Sequence, residues 1–485
     1  MPPKFLKLSK LMTGKRKPGG IVAFEQGRPL DWAAFSGQVA GLCRELERRP
    51  RGEWVVASRS SYAFAVSLCA LWQTGNLPVL PPNLQKGSLE EIPGKLRGIL
   101  SDLSFPPGEL EVLSPAAYKA GPWKWKDLDR RKISLKLYTS GSTGAGKEVP
   151  KTLANLEEEL LVLESTFGNR LGECAVLSTV SHQHIYGLLF RLLWPLCAGR
   201  PFISETPLLW EELLAKRHSL PAACLASSPV HLNFASAAGS EMKPPAGCRL
   251  IFSSGAPLPK DTAEAIWERW GLLVIEVFGS TETGGVGWRA QAGPNNSELW
   301  TPLKGVKVSA FSDEASGSRL RVSSAFAGTS AVDGWCPLGD SGQVFPDGRF
   351  QAGGRVDRIV KIAAKRLSLD EMELRLGRQP WVNRAALTLL KTHGEARSSI
   401  GAVIELSPAG KAQLRAQGQL AISKKLRAGL KEHFDAVTLP RYFRYVDSLP
   451  LNSQGKISQA DLKDLFPEPV LRRKNEQKNN SCRAK

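Results

Sequence analysis

The sequence predicts an α/β protein with a large N-terminal domain of parallel-rich βαβ layers and a smaller C-terminal domain. A chain of 485 residues is longer than one hydrophobic core usually supports. Short apolar runs alternate with helical stretches as far as Phe278, which is typical of a largely parallel sheet. Short strands with turns replace this pattern around Lys304–Val344 and predict a β-rich subdomain. The last part is expected to form a small, mobile α+β domain.

The βαβ pattern is visible element by element. Apolar spacing predicts helices over Ala33–Leu46 and Tyr62–Trp72, and strands over Trp54–Ala57 and Leu77–Leu80. A strand over Ile133–Tyr138 and a helical stretch over Leu153–Leu163 follow. The same alternation continues through Ala175–Val180, Leu188–Leu196, Leu250–Phe252, Ala263–Trp270 and Leu273–Phe278.

Changes in composition predict four parts of the chain. Residues 1–20 contain six Lys or Arg and no acid, and predict a basic, disordered leader. The alternative is a short amphipathic segment that makes a peripheral contact with an anionic membrane. Residues 21–356 and 357–465 are expected to form the large domain and the small lid domain. Residues 466–485 are rich in Arg, Lys, Asn and Gln, and predict a disordered tail.

The net charge of +19 is compatible with nucleic acid, an acidic membrane surface or an acidic protein partner. The sequence has neither zinc-finger spacing nor an RNA-binding aromatic motif, so a nucleic-acid partner is not expected. No apolar run is long enough to span a bilayer. The eight cysteines are scattered without close pairs, which is typical of reduced thiols and predicts a cytoplasmic location.

A short loop rich in small residues follows the predicted strand Ile133–Tyr138. Glycines let consecutive backbone N–H groups converge on one anion, while hydroxyls and lysines add further donors. The loop therefore predicts a phosphate site between a strand and a helix, although its spacing is not that of a Walker P-loop. A flexible surface loop is the alternative for this segment alone. The candidate phosphate-binding residues are Thr139, Ser140, Gly141, Ser142, Thr143, Gly144 and Lys147.

Five segments resemble, in the same order, the motifs of the adenylate-forming (AMP-binding) superfamily. They are Thr139–Lys147, with Gly146 in the family's proline position, Phe278–Thr283, Leu338–Asp340, Gly354–Lys361 and Leu449–Lys456. The superfamily includes acyl-CoA and aryl-CoA synthetases, acyl-carrier-protein synthetases, luciferases and the adenylation domains of peptide synthetases. The resemblance implies an enzyme that uses ATP and Mg²⁺ to join a carboxylate to the α-phosphate.

The resemblance implies roles for individual residues. Lys456 would bridge the attacking carboxylate and the α-phosphate, stabilising charge that is shared as the bond forms. Thr281 would contact the α-phosphate and Glu282 would bind Mg²⁺. Asp340 would accept hydrogen bonds from the ribose hydroxyls, with Arg355 near the ribose or the phosphate.

The resemblance also implies sites elsewhere in the chain. Ser254, Gly255 and Ala256 resemble the adenine-side loop, and Phe278, Gly279 and Ser280 lead into the Glu282 motif. His184 would border the acyl pocket, and Asp357 would be the hinge of the small domain. Ala364 stands where the family usually has a glycine beside the thiol arm. Lys151 is a second candidate for the phosphate lysine, although the position in the motif favours Lys147.

The predicted function is ATP-dependent activation of a hydrophobic fatty or aryl acid, followed by transfer to a pantetheine thiol. The thiol would belong to CoA or to the phosphopantetheine of an acidic acyl carrier protein. The segments His182–Leu188 and Gly279–Trp288 resemble a bacterial subgroup of acyl or aryl ligases associated with carrier-protein-dependent pathways. The alternatives are a stand-alone adenylating enzyme for another acid and a catalytically silent scaffold that binds a nucleotide or an acyl-adenylate.

Overall fold

The structure is a computed structural model, and its described residues fall into two compact units. It describes residues 5–81, 92–103, 110–139, 147–207, 212, 222–237, 243–244, 247–294, 296–313, 317–328, 333–355, 358–362, 365–390, 399–431, 433–434, 436–451 and 457–466. The first unit comprises residues 1–309, 321–337 and 344–351, and the second comprises 310–320, 338–343 and 352–485.

Two mixed sheets form the framework of the first unit. In spatial order, the nine-stranded sheet contains Thr301–Pro302, Gly284–Arg289, Val274–Ser280, Cys248–Ser253, Ala223–Ser227, Ala175–Ser178, Phe202–Ile203, Ile21–Glu25 and Arg28–Asp31. The six-stranded sheet contains Glu111–Leu113, Leu96–Leu100, Glu53–Val56, Leu77–Leu80, Ile133–Thr139 and Lys147–Thr152. Central neighbours pair in parallel, and antiparallel pairs lie towards the edges. The predicted α/β fold with parallel-rich sheets is confirmed.

Polar side chains define where the main helices of the first unit begin. Asp31 accepts the Ala34 N–H at 2.8 Å, and Ser60 accepts the Ala63 N–H at 3.1 Å. A reciprocal pair between Thr152 and Asn155 opens the longest helix of this unit. The helices of this unit are Leu8–Lys10 (3₁₀), Trp32–Glu47, Ser61–Thr74, Leu153–Leu171, Ile185–Gly187, Leu188–Leu193 (π), Trp194–Ala198, Pro229–Ala237 and Lys260–Trp270.

The sequence predicts that the phosphate loop leads directly into a helix, but the structure differs. Strand Lys147–Thr152 intervenes and pairs antiparallel with Ile133–Thr139, so that Thr139 lies opposite Lys147. Val149 and Lys151 are buried while their neighbours are less so, which is the two-residue alternation of a strand. Pro150 is tolerated because this strand lies at the edge of its sheet.

The N-terminal segment contacts the first unit, whereas the sequence analysis predicted a disordered leader. Leu8 and Leu11 are buried, with exposed fractions of 1% and 2%. The Ser9 N–H donates to Glu157 Oε2 at 2.8 Å, and Arg16 Nη2 donates to the Cys197 carbonyl at 2.6 Å. The leucines lie three residues apart on one side of a short 3₁₀ turn, so they bury an apolar face that composition alone did not reveal.

Four strands between residues 307 and 355 form a separate sheet, as the β-rich pattern predicted. They are Lys307–Asp313, Gly317–Ser323, Cys336–Val344 and Phe350–Arg355, in chain order across the sheet. Among the described residues, no helix is both long and apolar enough to cross a membrane.

The second unit has its own hydrophobic core, centred on Met372, Leu376 and Leu387. Strands Val382–Leu390 and Ser399–Leu406 pair antiparallel, and Tyr442–Val446 adds to the second of them in parallel. Its other elements are the hairpin Ile359–Ile362 and Lys365–Ser368, and the helices Leu369–Gly377, Pro408–Lys431, Ala436–Thr438 (3₁₀) and Gln459–Asp464. Helix Pro408–Lys431 is interrupted at Gly418, where φ is 76°.

The buried N-terminal segment predicts a stability effect. Leu11→Ala should lower the free energy of unfolding by about 3 kcal/mol, because it leaves a cavity beneath the segment. Urea unfolding followed by tryptophan fluorescence measures this change. Leu420→Ala is the matched control, since Leu420 is 81% exposed, and should change the stability by less than about 0.5 kcal/mol. Equal unfolding midpoints for both variants would contradict the observed packing.

Candidate active site

The predicted motif loops follow the carboxyl ends of neighbouring strands. Strands Ala175–Ser178, Ala223–Ser227, Cys248–Ser253 and Val274–Ser280 are parallel to one another. The turn that contains Glu282, the Ser254–Ala256 loop and the His184 segment each follow one of these strands. The carboxyl edge of a parallel sheet is where such folds usually bind ligands.

Lys147 and Glu282 join the end of the phosphate loop to the turn after strand Val274–Ser280. Lys147 Nζ donates to Glu282 Oε1 at 3.1 Å. Burial acts to raise the pKa of Glu282, but hydrogen bonds from its own backbone N–H, Lys147 and Ser280 outweigh burial and lower it. The ionised carboxylate suits Mg²⁺, which proteins usually hold with one or two carboxylates and substrate phosphate oxygens.

Side-chain hydrogen bonds shape the turn that carries Thr281 and Glu282. The Ser280 N–H donates to Thr283 Oγ1 at 3.1 Å, and the Thr283 N–H donates to Ser280 Oγ at 3.2 Å. A Cβ on Gly279 would lie 2.2 Å from the Gly284 carbonyl oxygen, so the close approach requires glycine there. The turn thereby presents Thr281 and Glu282 as half-buried side chains.

A buried lysine and a buried glutamate lie beneath this turn. Lys151 Nζ donates to the backbone carbonyls of Glu282 at 3.0 Å and Phe326 at 2.8 Å. Glu159 Oε1 accepts the Gly285 N–H at 2.7 Å. Burial lowers the pKa of Lys151 and raises the pKa of Glu159 to about 7. The Lys151 ammonium therefore contacts the backbone of the turn, whereas the Lys147 ammonium contacts the Glu282 side-chain carboxylate.

The predicted adenine-side loop is held against the strand that leads into the same turn. Ser254 Oγ donates to the Val277 carbonyl at 2.7 Å, and the Leu258 N–H donates to Glu276 Oε1 at 2.9 Å. Gly255 has φ of 95°, which a side chain would strain. Phe278 lies in the same strand as Val277, and its ring is 5.2 Å from that of Trp300. The structure thus places the loop Ser254–Ala256 against the neighbouring strand, which contains Phe278–Ser280.

Two histidines near the predicted acyl pocket have different surroundings. His182 is buried, donates through Nε2 to the Ser58 carbonyl at 2.8 Å and lies 3.0 Å from Ser61 Oγ through Nδ1. Burial, followed by the charge of Arg191, lowers the pKa of His182 to about 3, so it is a neutral structural residue. His184 is half-buried and immediately precedes helix Ile185–Gly187, which leaves it as the candidate pocket residue.

The other predicted site residues belong to the second unit or lie outside the part of the chain whose side chains are described. Asp340 lies within strand Cys336–Val344 and belongs to the second unit, as does the backbone of Arg355 at the end of Phe350–Arg355. Thr139 is described as backbone only. Their roles stay predictions. The residues that lie outside the described part of the chain are Ser140, Gly141, Ser142, Thr143, Gly144, Asp357, Ala364 and Lys456.

Sequence analysis missed Glu159 and Glu276. Glu159 lies on the buried face of helix Leu153–Leu171, between Leu156 and Leu163, and an acid at such a position requires a partner. Glu276 lies in the buried part of its strand and pairs with Arg289 at 2.6 Å. In both cases the available signal was a charged residue at a core-facing position.

Comparisons with known proteins agree on one family. The AMP-binding enzyme family matches residues 82–314. The chain is 24% identical to 4-chlorobenzoate–CoA ligase of Arthrobacter sp. over 93% of each chain. It is 28% identical to 4-coumarate–CoA ligase of Rhodobacter capsulatus over 67% of this chain and 74% of that one. ATP-bound MatB from Rhodopseudomonas palustris shares the fold with a TM-score of 0.79 at 18% identity, covering 97% of this chain and 100% of that one.

The close approach at Gly279 predicts a stability effect. Gly279→Ala should lower the free energy of unfolding by about 2 kcal/mol, because the new Cβ would force the Gly284 carbonyl away. Gly19→Ala is the matched control, since no atom lies within 4 Å of the position that a Cβ would take there. Urea unfolding of both variants tests the prediction. If Gly279→Ala were as stable as Gly19→Ala, the turn would not depend on this contact.

Proposed function

Because this chain is similar to AMP-binding enzymes and to CoA ligases, we propose that it is an AMP-forming acid–thiol ligase of the adenylate-forming superfamily. It activates a carboxylic acid with ATP as the acyl-adenylate, and then transfers the acyl group to a pantetheine thiol. The observation that carries this proposal is the 3.1 Å contact between Lys147 and Glu282. It joins the two kinds of group that the reaction needs, a cation for phosphate and a carboxylate for Mg²⁺.

Adenylation brings two anions together, so the site has to offset charge and align the attack. Lys147 binds the phosphates and Thr281 contacts the α-phosphate. Glu282 holds Mg²⁺, which offsets phosphate charge when it is bound. The burial of Lys151 against two backbone carbonyls supports Lys147, rather than Lys151, as the lysine that contacts phosphate.

The resemblance supplies the remaining roles in this proposal. Lys456 bridges the carboxylate and the α-phosphate, while Asp340 and Arg355 hold the ribose side of the nucleotide. Residues 357–465 form a lid domain that turns about Asp357 between the two half-reactions, since one site can run two steps in this way.

The acid is proposed to be a hydrophobic aryl or fatty acid. Two of the sequence relatives are named as ligases of 4-chlorobenzoate and 4-coumarate, both aryl acids. The segment after His184 adds aromatic side chains: the rings of Tyr186 and Phe190 lie 4.9 Å apart, and Phe190 lies 5.0 Å from Phe252. Phe252 belongs to the strand that leads into the adenine-side loop. Phe190 and Phe252 are buried in the core, so the proposal of an apolar acid rests on the named substrates of the relatives and not on these rings.

CoA is the proposed acceptor, because both sequence relatives are named as CoA ligases. An acidic acyl carrier protein is the alternative acceptor, which the net charge of +19 would suit. Pyrophosphate release from ATP and Mg²⁺, measured over aryl, fatty and amino acids, tests the first half-reaction. Release with an aryl or fatty acid, abolished in Lys456→Ala, is the expected result.

The second half-reaction is tested by adding CoA or holo acyl carrier protein and detecting the thioester by mass spectrometry. Release with amino acids alone would instead indicate a different adenylating enzyme. ATP binding without release for any acid would indicate a silent scaffold.

The role of Glu282 has a matched control. Glu282→Gln should lower kcat for pyrophosphate release by about 100-fold, because the neutral amide is a poor Mg²⁺ ligand. Glu298→Gln makes the same change in an exposed ion pair with Lys260, where the atoms lie 3.0 Å apart, and should leave kcat unchanged. A Mg²⁺ titration of both variants measures the effect. Equal rates would show that Glu282 does not bind the metal.

A further inference from the structure

We propose that Lys151 and Glu159 are positioning residues, which hold the backbone of the Glu282 turn in the geometry that adenylation needs. The proposal rests on the proposed function, because it concerns the turn that would bind Mg²⁺. Neither residue would touch ATP or the acid. Each acts through a backbone group of the turn. Lys151 contacts the Glu282 carbonyl, before the glycine pair Gly284–Gly285, and Glu159 contacts the Gly285 N–H within that pair.

Lys151 fixes the Glu282 end of the turn. The Glu282 carbonyl oxygen accepts from Lys151 Nζ at 3.0 Å and from the Gly328 N–H at 3.1 Å. The same ammonium donates to the Phe326 carbonyl at 2.8 Å. One cation therefore joins the turn to the segment that contains Phe326 and Gly328. Charge-assisted hydrogen bonds of this kind are stronger than neutral ones.

Glu159 fixes the other end. Its Oε1 accepts the Gly285 N–H at 2.7 Å. A Cβ on Gly284 would lie 2.6 Å from Glu159 Oε2, so this carboxylate is seated directly against the glycine pair. A carbonyl and an N–H three residues apart are thus held by two opposite charges from below the turn.

The strand that follows the phosphate loop connects these contacts to the proposed chemistry. Residues two apart in a strand share a face, so Lys147, Val149 and Lys151 lie on the same face of Lys147–Thr152. From that face Lys147 contacts the carboxylate of Glu282 and Lys151 contacts its backbone carbonyl. One strand therefore sets both the position of Glu282 and the cation beside it.

Stability alone does not explain a charged pair at this place. Lys151 and Glu159 have exposed fractions of 1% and 3%. The two groups make no direct ion pair but act on each other electrostatically, each favouring the charged form of the other. Removing one of two opposite buried charges is usually more costly than replacing both by apolar residues. Apolar residues cannot hydrogen-bond to the Glu282 carbonyl or the Gly285 N–H. What the charges add is the direction of those two bonds.

The test compares Lys151→Met, Glu159→Leu and the double variant Lys151→Met/Glu159→Leu in the full-length protein. Arg200→Met is the matched control, because Arg200 is also buried and pairs with Glu164 at 2.6 Å without a bond to the turn. Three quantities are measured: the urea unfolding midpoint, amide hydrogen exchange of residues 279–287 without substrates, and the kcat and KM of pyrophosphate release.

The single variants should unfold at lower urea concentrations, and the double variant should lose less stability than the sum of the two single losses, because it leaves no uncompensated buried charge. All three should nevertheless exchange faster at residues 279–287 than the wild type. Their kcat should be about 10- to 100-fold lower, because a small misplacement of a site residue is costly, while KM for the acid stays unchanged. Arg200→Met should lose stability but keep wild-type exchange in the turn and wild-type kcat.

Wild-type exchange of residues 279–287 and wild-type kcat in the double variant would overturn the proposal and make the pair part of the core alone. Failure of the proposed function has a different signature. The wild type itself would then release no pyrophosphate with any acid. Exchange without substrates would still decide whether the pair fixes the turn, and unchanged protection in the double variant would overturn that point separately.

Discussion

The described part of the candidate site depends on the contacts beneath the Glu282 turn. Lys151 and Glu159 bring two opposite charges into a buried place, where each would be costly without hydrogen bonds and an opposite charge. Both direct their polar atoms to backbone groups of the turn. The turn therefore has its shape fixed from the core side, while Thr281 and Glu282 remain accessible.

Strand pairing sets the coarse position of the motifs. Parallel neighbours end at the same edge, so the loops after Cys248–Ser253 and Val274–Ser280 are adjacent because their strands are paired. Glu276 then fastens the adenine-side loop through the Leu258 N–H and pairs with Arg289. Strand pairing thus sets the approximate positions of the site loops, and buried polar groups fix their detailed geometry.

Buried polar groups also anchor the N-terminal segment. A basic segment that composition assigned to a disordered leader contains Leu8 and Leu11 at a spacing that buries both. Its Ser9 N–H bonds to Glu157, another acid on the buried face of helix Leu153–Leu171. This helix therefore carries one carboxylate that anchors the N-terminal segment and another, Glu159, that anchors the turn. The two acids on the buried face of this helix therefore bind backbone groups that are distant from it in the sequence.

The sequence by itself determined the class of fold, because apolar spacing and strand–helix alternation are local properties. It also predicted the family that the chain resembles, since five short motifs stand in a fixed order. It did not reveal strand Lys147–Thr152, because a glycine-rich loop followed by a charged, proline-containing segment does not have the apolar pattern of a strand. Only the tertiary structure showed that Lys151 contacts backbone carbonyls while Lys147 contacts the Glu282 carboxylate, and that Glu159 has a partner in the Gly285 N–H. The physical reason is that burial and hydrogen bonding between residues more than a hundred positions apart decide where each charged group points.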